Sequence, residues 1–216
     1  MLRNVVTIAR TIAAGGEEIG VRVAERLQFR YVDDEIIVRA ANRAGVSPEE
    51  IAAAERTAPL LQRILESLGR PSLTEEAEWT GADFSYYQEP RYEALIIDVI
   101  KSLAKETNVV IVAHGGGMAL MGWSDVMRVL ITASPEVRVQ RLMQARNFSQ
   151  REAQKAVQIS DRERNAYFRR FYGRGPELLT SYDLIVNTDN IDPAQAAALI
   201  ADSVLAGEPA GVYVRQ

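Results

Sequence analysis

Two short runs, Val109 to Ala113 and Val126 to Thr132, constrain this chain more than any other feature. Runs so short and so rich in β-branched residues fit strands buried on both faces. A strand covered on both faces belongs to a parallel sheet with helices above and below. Val5 to Ala9 is a third apolar run, Phe29 to Val32 a fourth, and Asp183 to Asn187 a fifth. Helical patterns alternate with them. Ile19, Val23 and Leu27 recur at four-residue spacing within Glu18 to Leu27, an amphipathic face that suits packing on a sheet. Glu35 to Leu68 reads as mostly helical, with Ser47-Pro48-Glu49-Glu50 as a start signal, and Glu89 to Glu106 as one helix. Glu136 to Arg146, a segment starting at Ser149, and Pro193 to Leu205 complete the set. This alternation predicts one wound three-layer α/β/α domain with a parallel sheet over residues 1–216. Gly69 to Pro90 reads as an irregular excursion over a site, and the tail from Gly207 to Gln216 as frayed.

The composition removes several chemistries. With no Cys and one His, disulfides, thiolate metal sites, Cys nucleophiles and a His-rich zinc site are all excluded. Carboxylates, arginines, hydroxyls and backbone amides remain. Lys plus Arg is 25 against Asp plus Glu at 29, a net charge of −4, which gives no support to nucleic-acid or anionic-membrane binding. No targeting or membrane-spanning stretch stands out, so a cytoplasmic location is the default expectation. Self-association as a homodimer stays open.

The first candidate site follows the opening strand. Gly15, Gly16, Glu17, Glu18, Ile19 and Gly20 join that strand to a helix, where unpaired amides face outward and glycines let an anion approach the main chain. A plain glycine turn explains the pair equally well. The second candidate is the arginine series Arg162, Arg164, Arg169, Arg170 and Arg174, interleaved with aromatic residues that read as packing. Several guanidinium groups on one mobile element suit a transferring phosphoryl group, whereas a solvated basic helix face is the plainer account. His114, followed by Gly115-Gly116-Gly117, stands at a strand end, where open α/β sheets bind ligands. Asp33 and Asp34 stand at another, with a helix cap as their structural alternative. Arg39 lies one turn beyond Glu35 and pairs with it on the structural account.

With these residues in hand, the chain resembles the cytidylate kinase-like family, a divergent branch of the nucleoside monophosphate kinases with a phosphate-loop fold. The resemblance rests on Val5-Val6-Thr7-Ile8-Ala9-Arg10, Gly15 to Gly20, Tyr31-Val32-Asp33-Asp34-Glu35 and Val110-Ile111-Val112-Ala113-His114-Gly115. It continues through Ala133-Ser134-Pro135-Glu136-Val137-Arg138, Asp161-Arg162-Glu163-Arg164-Asn165 and Tyr182-Asp183-Leu184-Ile185-Val186-Asn187-Thr188. It implies a donor-phosphate loop over Arg10 to Gly20, a helical acceptor-binding insert over about 35–90, and a lid over about 147–175. The departures are Gly16 in place of the loop lysine, Glu18 in place of the magnesium-binding hydroxyl, and Val112 in place of an acidic residue.

The first functional expectation is therefore a phosphotransferase. It would hold ATP and Mg²⁺ on the loop, with Glu18 as a candidate magnesium ligand. A nucleoside monophosphate such as CMP would lie near Asp33, Asp34, Arg39, His114 and Gly115. Arg162, Arg164, Arg169 and Arg170 would stabilise the transferred group. A kinase-shaped nucleotide or anion sensor without turnover is the second reading. A dinucleotide-dependent enzyme with Asp33 or Asp34 on a ribose is the third.

Overall fold

The computed structural model describes residues 3–55, 90–106, 108–172 and 178–206. The excursion expected from Gly69, up to Glu89, the insert beyond Glu55 and the tail from Gly207 lie outside them. The strands are β1 (Val5–Arg10), β2 (Arg30–Val32), β3 (Val109–Val112), β4 (Val126–Thr132) and β5 (Leu184–Asn187). They form one parallel sheet of order β2-β3-β1-β4-β5. The helices are α1 (Gly16–Leu27), α2 (Glu35–Ala44), α3 (Pro48–Glu55), α4 (Pro90–Glu106), α5 (Gly116–Ala119), α6 (Pro135–Arg146), α7 (Gln150–Tyr172) and α8 (Pro193–Leu205), and a 3-10 turn spans Leu179–Ser181.

The pleat of the sheet divides the core. Val6, Ile8, Val110, Val112, Val129 and Ile131 face α1 and α8. Val5, Val109, Ile111 and Val126 face α2, α3, α4 and α5. Both sides of the sheet are thus covered, as the β-branched runs require. A third, smaller cluster of Leu142, Phe148, Ala153, Ala156 and Val157 joins α6 to α7, with Ile12 and Ala13 packed against it. Arg138 on α6, only 4% exposed, donates to both carboxylate oxygens of Asp161 on α7, at 2.7 and 2.9 Å.

The strand ends differ slightly from those expected. The Phe29 N–H still closes the end of α1 on the Ala24 carbonyl at 2.9 Å, so β2 begins one residue later. Ala113, with φ of 66°, ends β3 before it. The expected helix from Glu35 is interrupted after Ala44, where Gly45 caps α2 with φ of 69°. Ser134 caps α6 through the Val137 amide, and Asp192 forms a reciprocal cap with Gln195 on α8.

The packing of α1 on the sheet is close. A Cβ at Gly20 would lie 2.6 Å from Val112 Cγ2 and 3.3 Å from Tyr31 Cε2. Only a residue without a side chain lets the first turns of α1 settle there, and those turns carry the loop of interest. Among the described residues, no helix is long and apolar enough to cross a membrane.

Candidate functional site

β1 is the central strand, and the connections leaving β1 and β4 run to opposite edges of the sheet. The carboxyl ends of these neighbours therefore form the crevice where open α/β sheets bind ligands. The 11–15 segment sits at that point. Thr11 N–H donates to the Ile131 carbonyl at 3.0 Å and Ala14 N–H to the Thr11 carbonyl at 3.2 Å. Gly15, with φ of 83°, caps α1 without any side-chain hydrogen bond.

The loop carbonyls are held from outside. Arg141 donates to the Ala13 carbonyl at 3.2 Å, the Thr188 hydroxyl at 2.9 Å and the Thr188 carbonyl at 2.5 Å. The Thr188 hydroxyl in turn donates to the Ala14 carbonyl at 3.0 Å, and Arg164 on α7 donates to the Arg10 carbonyl at 2.7 Å. In a trans peptide the N–H points opposite to the C=O, so the Gly15 amide faces away from Thr188. The amides of Gly16, Glu17 and Glu18 have no acceptor within α1 because they open the helix. Four donors thus cluster where the helix dipole is positive. The two carboxylates of this turn are already paired, Glu17 with Arg10 and Glu18 with Arg22. Ile19 is buried in the core below them.

A cavity of about 750 Å³ opens beside the loop. Ile12, Ile19, Leu142 and Ile191 give it apolar walls, and Arg141 and Thr188 stand where it meets the loop. Asp189, at its rim, accepts the Ser134 amide at 2.7 Å, and that bond holds its carboxyl below the usual range.

A second group of polar residues lies at the ends of β2 and β3. His114 is 5% exposed, and its Nε2 stands 3.3 Å from Asp33 Oδ1. The Tyr31 hydroxyl donates to Asp33 Oδ2 at 3.4 Å. Burial pushes the Asp33 carboxyl up, but the hydrogen bond and charge of His114, the charge of Arg10 and the Tyr31 hydroxyl outweigh it and hold the carboxyl below its usual 3.8. The Tyr31 phenol is pushed up to about 12, first by burial and then by the neighbouring Asp33 charge. Asp34 occupies the cap position of α2 without a side-chain cap bond. Capping therefore does not account for either carboxylate. Ligand atoms of Asp33, Asp34 and His114 all lie within 4.8 Å of one another.

The other sequence candidates separate. Arg39 is engaged on the flank of α2, with Glu35 at 2.7 Å and Glu106 at 3.0 Å. Arg164 is turned inward, bonded to the loop and to the Tyr182 hydroxyl at 3.2 Å, and lies 5.1 Å from the centre of the Phe168 ring. Arg162 and Arg169 are exposed. The side chain of Arg170 lies outside the described residues. The glycines after His114 do mark a close approach, though to the sheet itself. A Cβ at Gly116 would lie 3.1 Å from Ile111 Cγ2, and one at Gly117 would lie 3.1 Å from Thr7 Oγ1. Gly115, with φ of 65°, caps α5. Arg141 and Thr188 were missed because their partners lie 128 and 174 residues away in sequence, at Ala13 and Ala14.

A parallel sheet of this order, with a glycine turn opening a helix at the end of its central strand, defines a phosphate-loop kinase fold. Solved structures agree. The chain superposes on an uncharacterized protein from Eubacterium ventriosum with a TM-score of 0.65 at 14% identity, covering 94% of this chain and 99% of that one. It superposes on shikimate kinase from Bacteroides thetaiotaomicron with a TM-score of 0.52 at 14% identity, covering 93% and 98%. Likeness at these identities establishes the fold alone. The family follows from sequence: the model of the cytidylate kinase-like family matches residues 5–190, and the chain belongs to that family. Among its relatives, cytidylate kinase from Sulfurisphaera tokodaii is 27% identical over 103 residues, which is 48% of this chain and 57% of that enzyme. Cytidylate kinase from Ignicoccus hospitalis is 30% identical over 118 residues, 55% of this chain and 68% of that enzyme. The match thus spans little more than half the length of the first relative.

Proposed function

We propose that this protein is a phosphotransferase that moves the γ-phosphate of ATP to a nucleoside monophosphate such as CMP. The observation that carries the reading is the cavity of about 750 Å³ that shares Gly15 and Arg141 with the amide-lined loop. Its size suits a small-molecule ligand, and it offers a base and ribose an apolar slot that Gly15, Glu17 and Glu18 border. The Asp33 and His114 group, across the loop from that cavity, is the acceptor side of the proposal.

Transfer between phosphates depends on placement and charge neutralisation, and an ionised acceptor oxygen needs no side-chain base. The Gly15 to Glu18 amides hold donor oxygens, and Arg164 braces the loop through the Arg10 carbonyl. Arg162 and Arg169, exposed on α7, are the guanidinium groups available to the transferred group. Magnesium prefers oxygen ligands and commonly takes one or two carboxylates together with substrate phosphates. Asp33 and Asp34 fit that demand better than Glu18, whose Oε1 is already bonded by Arg22 at 3.0 and 2.8 Å. When bound, the ion neutralises phosphate charge.

Two carboxylates beside an anion-binding turn favour a second reading, a nucleotide sensor without turnover. One experiment separates the two. Purified protein with Mg-ATP and each nucleoside monophosphate in turn is followed for ADP release and for thermal shift. ADP released with one acceptor above the acceptor-free rate supports the transferase. Stabilisation without ADP supports the sensor, and the absence of both signals overturns both.

A further inference from the structure

Arg10, the last residue of β1, runs its side chain across the start of α1. A Cβ built on Gly16 would lie 2.6 Å from Arg10 Cβ, 3.2 Å from Cγ and 2.8 Å from Cδ. The aliphatic stem thus fills the space that any larger residue at position 16 would need. Its Nε donates to Glu17 in the first turn of α1. The terminal nitrogens of the guanidinium make no hydrogen bond among the described residues. On its other side the charge of Arg10 acts on Asp33 and Tyr31. The guanidinium is thus held at the first turn of α1, beside the loop amides.

A glycine-rich phosphate loop ordinarily carries a lysine directly after its last glycine, and that lysine reaches the terminal phosphates of the bound nucleotide. In this chain that place is Gly16, and Arg10 covers it. We infer that Arg10 is the phosphate-neutralising cation of this loop and that Glu17 is its built-in competitor, which a polyphosphate must displace. The inference rests on the proposed reading only in placing polyphosphate on this loop.

The electrostatics favour the exchange. Glu17 offers one negative charge at the surface, where its side chain is 56% exposed. Such an exposed pair is weak and screened by salt. A polyphosphate offers several charges, and its paired oxygens match the two terminal nitrogens of a guanidinium fork. Glycine at position 16 then has a positive reason. A lysine there and the Arg10 stem exclude each other, so the chain supplies its cation from the strand below rather than from the helix.

Calorimetric titration of wild type, Glu17→Gln, Arg10→Gln and the double variant with inorganic tripolyphosphate and with ATP tests this directly. Glu17→Gln is expected to tighten both ligands about two- to fivefold, the worth of an exposed ion pair. Arg10→Gln is expected to weaken both by about tenfold or more, the worth of a hydrogen bond to a charged group. In the Arg10→Gln background, Glu17→Gln should give no gain. A gain that persists there would mean that Glu17 acts only through the general field, and the inference falls. It also falls if Glu17→Gln leaves affinity unchanged, or if Arg10→Gln binds as the wild type does. Arg10→Lys, which keeps the charge, guards against a folding defect and is expected to fall between Arg10→Gln and wild type; Arg10→Lys binding no tighter than Arg10→Gln would count against the inference. Tripolyphosphate binding as tightly as ATP would sink the proposed nucleotide function and leave the Arg10 assignment standing.

Discussion

Gly20→Ala is a sharp test of how α1, and the loop it carries, is held on the sheet. The new methyl would meet Val112 Cγ2 at 2.6 Å, Tyr31 Cε2 at 3.3 Å and Ile8 Cδ1 at 3.6 Å. Carbon atoms pack comfortably at about 3.5–4.0 Å, so the helix or the strand must give by about 1 Å. Neither yields easily. Val112 is fully buried on a strand paired to the central β1, and its β-branched side chain has little rotational freedom. Overpacking of this kind costs about 1–3 kcal/mol. Alanine's better helix propensity returns at most about 1 kcal/mol. With that return in full the net loss is up to about 2 kcal/mol, which at about 2–4 °C per kcal/mol lowers Tm by up to about 8 °C. Because the severe clash is with one methyl group and its removal leaves only the slighter Tyr31 contact, Val112→Ala should reverse its sign. On that background Gly20→Ala should raise Tm rather than lower it. Melting curves of the four proteins decide the matter. A Gly20→Ala protein that melts at or above the wild type, or an equal decrement in both backgrounds, would refute the reasoning.

Asp161→Ala strips a buried Arg138 of its partner and should cost about 1–3 kcal/mol in denaturant unfolding, discounted because the Asp161 side chain is 41% exposed; Arg138→Met should cost less, since it leaves no unpaired buried charge. Asp33 has a depressed folded pKa, so its stabilising contribution is full above its ordinary 3.8 and is lost as pH falls through the folded value. The Tm gap between wild type and Asp33→Asn should therefore close on acidification through the carboxylate range, and a gap independent of pH would contradict the His114 and Tyr31 contacts. Arg164→Met removes the bonds to the Arg10 carbonyl and Tyr182, and amide exchange at Thr11 and Ala14 should quicken about tenfold or more. Unchanged exchange would show that α7 does not brace the loop.

Much of the sheet was legible because burial on both faces leaves a compositional mark, clearest at Val109 to Val112, where every residue is buried. The short β2 was legible only as a region, since its burial runs from exposed to buried within three residues. The helix at Gly116–Ala119 was invisible for a physical reason. Its glycines suit a tight approach to Thr7 and Ile111 at the expense of helix propensity. In the arginine series the separation was partly readable, since at about 100° per residue Arg162 and Arg169 share a face that Arg164 opposes. Which face turns inward was not, because it depends on the Arg10 carbonyl 154 residues away. The turn before α1 was legible from its glycines, whereas the side chains that hold its carbonyls, Arg141 and Thr188, carry no local signal.

The division of the core into two large clusters and one small one sets an order of events when the molecule loosens. The sheet and its two covering layers share extensive buried surfaces, whereas among the described residues α6 and α7 are joined by a smaller buried cluster and by the Arg138–Asp161 ion pair. They form the weakest cooperative unit, a foldon able to peel away while the sheet persists. Because Ile12 and Ala13 pack into that unit rather than into the sheet, each such excursion dismantles the corner before α1 as well. Proteases and exchange reagents should therefore meet this corner and α7 together, well before either large cluster gives way.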